Sequence, residues 1–420
     1  SENGPWHSAA QAFAKPGADQ LRLFNFTGQT RSDLVVLGNG DNLANHALAV
    51  SGSILPLQQL VSADGSTGFA APVSDISPLG WTGGQIVAGG ATKHTTTLSV
   101  STTHLENALL KVSFDKSGEI TSVFDKTRQR ETLAKAEKAN RLIAYEDKPM
   151  EWDAWDIDRY FEEQFWPLAD GKASVSVVET GPHRAAIRVE RQYQASTIVQ
   201  VISLEAGARQ VEFDTFIDWQ ERHTVLKAQF PFDLNTSEIR SEIQFGHVKR
   251  PTHRNTSWDK ARFEASMHRW VDLSESDFGV ALLNDCKYAY DCLEQSVRLT
   301  LVRGSTFPDP QADLGEHRLR YALFVHDGVA DLADVHRAAE RFNNPVAVIG
   351  SRQPAASPAS EFACFSFASV DQSNVTLETV KKAEKSDAVV LRLFEHANIR
   401  AEATIRFGIP VKSVRSVNLM

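Results

Sequence analysis

Cysteine is scarce in this chain: only Cys286, Cys292 and Cys364 occur in 420 residues. An odd number with no paired metal spacing argues against a disulfide framework and fits free thiols in a reducing cytoplasm. No window approaches the roughly 20 apolar residues of a membrane span, and the N-terminus lacks a basic-then-apolar signal pattern, so no membrane is expected. Long runs of one charge are missing too. The net charge of −9 is spread along the chain, which disfavours nucleic acid and anionic lipid as partners. There is no GxSxG elbow, P-loop or GxGxxG, which removes the usual signals for a serine hydrolase or a nucleotide site. Helical periodicity is sparse. What remains, 42% apolar and 23% charged, is the composition of a folded chain too long for one ordinary core.

Short alternating runs fill the sequence: LRLFNF, DLVVLG, HALAV, HTTTLSV, LLKVSF and EITSVFD, spaced by Gly, Asn, Asp and Ser. Such spacing predicts sandwich or barrel strands. Asp115–Gly118 between two of them reads as a hairpin turn. Further strands are expected at Ser174–Val178, Ala185–Tyr193, Thr197–Leu204, Gln210–Ile217 and His223–Phe230. Helix is expected at Thr132–Lys138 and Ala330–Asn343, the second with Leu332, Val335, Ala338, Ala339 and Phe342 near period 3.6. The Pro-, Ser- and Ala-rich segment 351–360 reads as a linker, followed by four strands in FACFSFASV, VTLETVKKA, AVVLRLFEH and IRAEATIRF. The fold class is therefore all-β with few helices.

Chemistry concentrates at Tyr145–Tyr160, YEDKPMEWDAWDIDRY, where six carboxylates stand beside Trp152 and Trp155. Indole faces next to acceptor oxygens suit a sugar, whose C–H faces stack and whose hydroxyls donate. An exposed, Trp-anchored loop is the plainer alternative. Asp153 and Asp156 lie three apart on an apparent loop and do not make a glycosidase pair by themselves, because acid and nucleophile normally come from different strands or loops. His247, His253 and His268 fall within about twenty residues without HxH or HExxH spacing, and are read as structural or surface histidines. Cys286 is expected to be a buried strand-end thiol. His317 is expected to hydrogen-bond within the sandwich, and Trp258 and Asp259 to cap a long hairpin.

The tract YEDKPMEWDAWDID resembles the C-terminal half of glycoside hydrolase family 38 α-mannosidases of the bacterial and cytosolic type. Four other tracts follow the same family order: HLENALLKVSFDKSGEITSVFDK, FGHVKRPTHRNTSWDKARFE, HRWVDLSESDFGVALLNDCKYAYD and FPDPQADLGEHRLRYALFVH. The resemblance implies retaining hydrolysis of terminal α-mannosides, with zinc or another divalent metal, an Asp nucleophile and a second carboxylic acid. Those groups belong to an N-terminal catalytic domain and a His-His-Asp segment that this sequence does not contain. No metal ligand or catalytic residue is expected in this chain, which should be inactive alone. Its partners are expected to be that catalytic domain and a mannose-containing oligosaccharide, with homo-oligomers in prospect.

The resemblance also implies a layout. Residues 1–15 fit the last helix of a preceding bundle, 16–100 a small β-sandwich, 101–350 a galactose-mutarotase-like supersandwich, and 351–420 a C-terminal β unit that the end of the sequence cuts short. The large domain is expected to lend substrate-binding residues to a sugar site: Trp155 and Asp156 first, then Asp153, then Arg254 and Tyr288. Domain-interface packing is the alternative for each. An autonomous carbohydrate-binding module is the alternative for the chain as a whole.

Overall fold

A computed structural model describes residues 20–39, 43–89, 96–329, 332–351, 355 and 363–418. The expected helix over residues 1–15 lies outside them, as does most of the 351–360 linker. Among the described residues the regular structure is almost entirely antiparallel strand, and the chain divides into two compact units.

The first unit draws on 1–59, 68–93 and 344–420. Its six-stranded sheet places Leu21–Asn25 between Gly80–Ala88 and Ala347–Gly350, and Cys364–Ser366 also pairs with Gly80–Ala88. Segments over 300 residues apart thus share one sheet. Leu21, Leu23, Val35, Leu37, Leu48, Val50 and Ile86 form the core between this sheet and the three-stranded one containing Arg31–Asn39. Of the late strands expected here, Val375–Lys382 and Val389–Glu395 form a hairpin, whereas IRAEATIRF is extended as strand only at Ile405–Phe407.

The second unit comprises Leu60–Thr67 and His94–Asn343. A nine-stranded sheet and a six-stranded sheet share one apolar core with a smaller five-stranded sheet. Strict alternation makes the faces: along Gln210–Trp219, every second residue is buried, ending on Phe213, Ile217 and Trp219. The outer face of the nine-stranded sheet is covered by the helix Leu332–Asn343, whose Leu332, Val335, Ala338, Ala339 and Phe342 pack on Trp270, Leu283 and Ala322. Residues 330–331 of that expected helix lie outside the described residues.

One expected helix is absent. Thr132–Lys138 is irregular: Leu133 bridges Phe232, Ala139 bridges Ile120, and Ala136 takes a left-handed φ of 63°. Its few apolar side chains are drawn separately into the core, and seven uncapped residues cannot hold a helix against that. The turn at Asp115–Gly118 forms as read, with Gly118 at φ 75° and the Asp115 carboxylate accepting from the Ser117 and Glu119 amides. Cys286 corrects another expectation. It lies past the end of the strand Gly279–Asn284 and is exposed, with its thiol pushed up to about 11 by desolvation and by neighbouring Asp285.

Candidate functional site

Strand register assembles the site. In the six-stranded sheet, Arg141–Glu146 pairs with Thr224–Pro231, which pairs with Ser296–Arg303. Glu146 faces Thr224 and Val225 faces Arg303, so the chain leaving 146, entering 224 and leaving 303 meets at one end of the sheet. Ala289–Leu293 runs antiparallel to Ser296–Arg303 with Tyr290 opposite Leu299, which brings Tyr288 to that same end.

The acidic tract is a loop pinned at both ends. Asp147 is fully buried and is held by Nε and Nη2 of Arg303, whose Nη2 also donates to the Asp156 carbonyl. The Asp147 amide donates to the His223 carbonyl at 2.8 Å. Downstream, Ile157 and Phe161 sink into a cluster with Ile143, Tyr145 and Val225 on the outer face of the sheet. Between these anchors Trp152, at φ 60°, accepts at its carbonyl from the amides of Trp155 and Asp156 at 2.8 and 2.9 Å. This tight turn throws both indoles outward.

A second loop locks on. The Ala154 amide donates to the Phe307 carbonyl at 3.1 Å, and Asp153 Oδ2 accepts from the Thr306 hydroxyl at 2.9 Å and from the Thr306 amide. Trp152, Trp155 and Phe307 then form an edge-to-face row, with ring centroids 6.3 and 6.4 Å apart. They remain 62, 66 and 57% exposed, which is unusual for three neighbouring large aromatics and leaves an open apolar face. Burial acts to raise the Asp153 carboxyl, but the Thr306 donors outweigh it and hold the group below the usual carboxylate range. Its Oδ1 is buried without a hydrogen-bond partner among the described residues.

The sequence-derived candidates separate as follows. Asp153, Trp155 and Asp156 share the one loop; Asp156 is exposed and its Oδ1 accepts from the Ile157 amide at 2.9 Å. Tyr288, 56% exposed, stands at the same end of the sheet. Arg254 is engaged elsewhere, donating from Nη1 to Glu162 at 2.8 Å. Trp258 is exposed on the one-turn helix Ser257–Lys260, and Asp259 forms a capping box with Thr256. His317 Nε2 lies 2.8 Å from the Asp313 carbonyl. No local sequence pattern marks Phe307, Thr306 and Arg303 as site residues, although Phe307 opens one of the five family-like tracts.

Behind the loop lies a chain of alternating charges. Arg254 and Arg298 both pair with Glu162; Arg298 Nε donates to Asp291 at 2.6 Å, and Lys227 Nζ to Asp291 at 2.9 Å and to Glu264. Lys227 is fully buried. Desolvation acts to lower its ammonium, but Asp291 and Glu264 outweigh it and raise the group. Burial acts to raise Glu162 and Glu264; the cations beside them outweigh it and hold both low. The Asp147 carboxyl goes up, because desolvation exceeds the pull of Arg303.

The arrangement offers a stacking face with carboxylate acceptors at its margin, and it does not offer an acid–nucleophile pair. Asp153 sits below the usual carboxylate range, and Asp147, which is raised, is buried beneath Arg303. Nor do the residues fit a divalent metal: among the described residues no group of three or more His, Cys, Asp or Glu could hold an ion. No helix among them is long and apolar enough to cross a membrane.

Comparison with known proteins gives two family matches: the glycosyl hydrolases family 38 C-terminal domain over 105–311, and the family 38 C-terminal β-sandwich domain over 374–420. Alpha-mannosidase 2C1 of Homo sapiens is 38% identical over 320 residues, covering 75% of this chain and 30% of its own length. Alpha-mannosidase of Saccharomyces cerevisiae is 37% identical over 253 residues, covering 57% of this chain and 23% of its own. The chain thus spans less than a third of these relatives. A crystal structure of an alpha-mannosidase from Enterococcus faecalis superposes with TM-score 0.72 at 16% identity, covering 93% of this chain and 52% of that one, a likeness of fold.

Proposed function

Because the chain belongs to glycosyl hydrolase family 38, whose C-terminal domains it carries, we propose that it is the C-terminal β region of a retaining α-mannosidase acting on terminal α-mannosides. In this reading it supports a catalytic domain that supplies the nucleophile, the acid and a divalent metal, and the loop 147–156 forms part of the sugar-site rim. The chain alone is then inactive. The observation that carries the rim assignment is the exposed row Trp152–Trp155–Phe307, locked beside Asp153 by Thr306. An indole takes the C–H face of a hexose, and Asp153 and Asp156 accept from its hydroxyls; each aromatic contact of this kind is worth about 1 kcal/mol. Tyr288 joins from the same end of the sheet. Arg254 acts one step back, holding Glu162 behind the loop. The three free cysteines support a reducing, cytoplasmic setting.

The test is steady-state kinetics of the enzyme that contains this region, with an aryl α-mannoside and with mannobiose. Trp155→Ala should raise KM for mannobiose several-fold; unchanged kinetics on both substrates would refute the rim role. The alternative, an autonomous carbohydrate-binding module, draws on the same open aromatic face. It predicts sub-millimolar binding of mannobiose to this chain alone by calorimetry, where the rim reading predicts none until the catalytic domain is supplied.

A further inference from the structure

We propose that a cleft beside the buried charge chain is a binding site for a small oxyanion, a carboxylate or phosphate group, separate from the sugar-facing loop. The cleft has a volume of about 40 Å³, and its lining includes Arg250, Arg254, Arg262, Glu264, Tyr290 and Asp291. Charge accounting at its walls leaves a surplus. Glu264 and Asp291 are matched by Lys227 and Arg298, and Glu162 by Arg254 and Arg298. Asp259, the remaining carboxylate of the lining, accepts from the Thr256 hydroxyl and amide and has His253 at 3.8 Å.

Five cations against four carboxylates leave one positive charge in excess, and two guanidinium groups stand outside the ion pairs. Among the described residues neither Arg250 nor Arg262 has a carboxylate within ion-pair distance; Arg250 Nη1 lies 3.3 Å from the Tyr290 hydroxyl, and Asp259 feels Arg262 only at longer range. Arg250 is on the strand Gly246–Pro251, and Arg262 follows the capped turn Ser257–Lys260, its amide donating to the Asp259 carbonyl at 3.2 Å. Two planar five-donor forks on one cleft match oxygen pairs of a carboxylate or phosphate far better than neutral hydroxyls. Size agrees. At roughly 10–15 Å³ per water the cleft takes about three water-sized groups, enough for an anionic head.

The test is calorimetric titration of inorganic phosphate, and separately acetate, into this chain at low ionic strength. One saturable site is expected, weakened roughly tenfold or more in Arg250→Ala and in Arg262→Ala. Tighter binding of phosphate than acetate assigns a phosphate group, and the reverse order a carboxylate. Trp155→Ala should leave the titration unchanged, since its loop is not part of the cleft. Arg262 is exposed, so its variant keeps the fold, as circular dichroism would verify, and decides the matter if Arg250→Ala does not fold. No saturable heat with either anion, or full affinity in Arg262→Ala, would overturn the proposal.

Discussion

Arg303 holds Asp147 through Nε and Nη2 and, with that same Nη2, the carbonyl of Asp156, so one side chain ties both ends of the acidic loop to the sheet. Asp147 is fully buried, and a buried carboxylate stripped of its cation is costly. Arg303→Met should destabilise the protein by about 3–5 kcal/mol in urea unfolding. Hydrogen exchange at the Trp155 and Asp156 amides should rise together with that loss. Protected amides in the variant would show that Ile157 and Phe161 suffice as anchors.

Lys227 presents a second buried dependence. Lys227→Met leaves Glu264 with Thr300 as its remaining side-chain donor and Asp291 with Arg298 alone. A loss of about 3–5 kcal/mol is expected in denaturant titration. Adding Glu264→Gln to Lys227→Met should recover part of it, because the orphaned charge is then gone.

Acid should weaken the second unit. Glu162, Glu264 and Asp153 all sit below their ordinary values in the folded state. A depressed carboxyl contributes stability that is present above its unfolded pKa, about 4, and is lost as pH falls through the folded value. Asp147, raised, acts in the opposite sense, gaining as pH falls through its folded value. Asp214 is raised too, but the lowered carboxyls of this unit, which also include Glu106, Asp115, Asp125 and Glu275, outnumber the two raised ones, so Tm should fall steadily below about pH 4. A flat Tm from pH 5 to pH 3 would contradict this balance.

Trp155→Ala should leave stability within about 0.5 kcal/mol, because the indole is 66% exposed and has little burial to lose. A thermal melt separates that outcome from a packing role: a loss above about 2 kcal/mol would mean that the aromatic row holds the loop together.

Gly118→Ala probes the hairpin at the start of the second unit. Its φ is 75°, and an added Cβ would lie 2.8 Å from both methyls of Val189. Left-handed backbone and overpacking each add a cost, together about 2 kcal/mol or more, readable as a lower urea midpoint.

Much of this protein was legible along the chain. Alternation at Gln210–Trp219 and its neighbours marked the strands, period 3.6 marked Leu332–Asn343, and Asp115–Gly118 marked a turn, because each signal lies within a few residues of its cause. Thr132–Lys138 shows the limit: its apolar residues went to separate core positions, which no local window records. Likewise the wording of Tyr145–Tyr160 pointed to the family, whose C-terminal domain matches 105–311. What that tract does physically was decided in three dimensions. Antiparallel register brought Arg303 to Asp147 and Thr306 to Asp153, each more than 150 residues away, and the same register fixed which charge neutralises which. Residue order carries no direct record of such pairings; they follow from which strands become neighbours, and that is settled by the shared core.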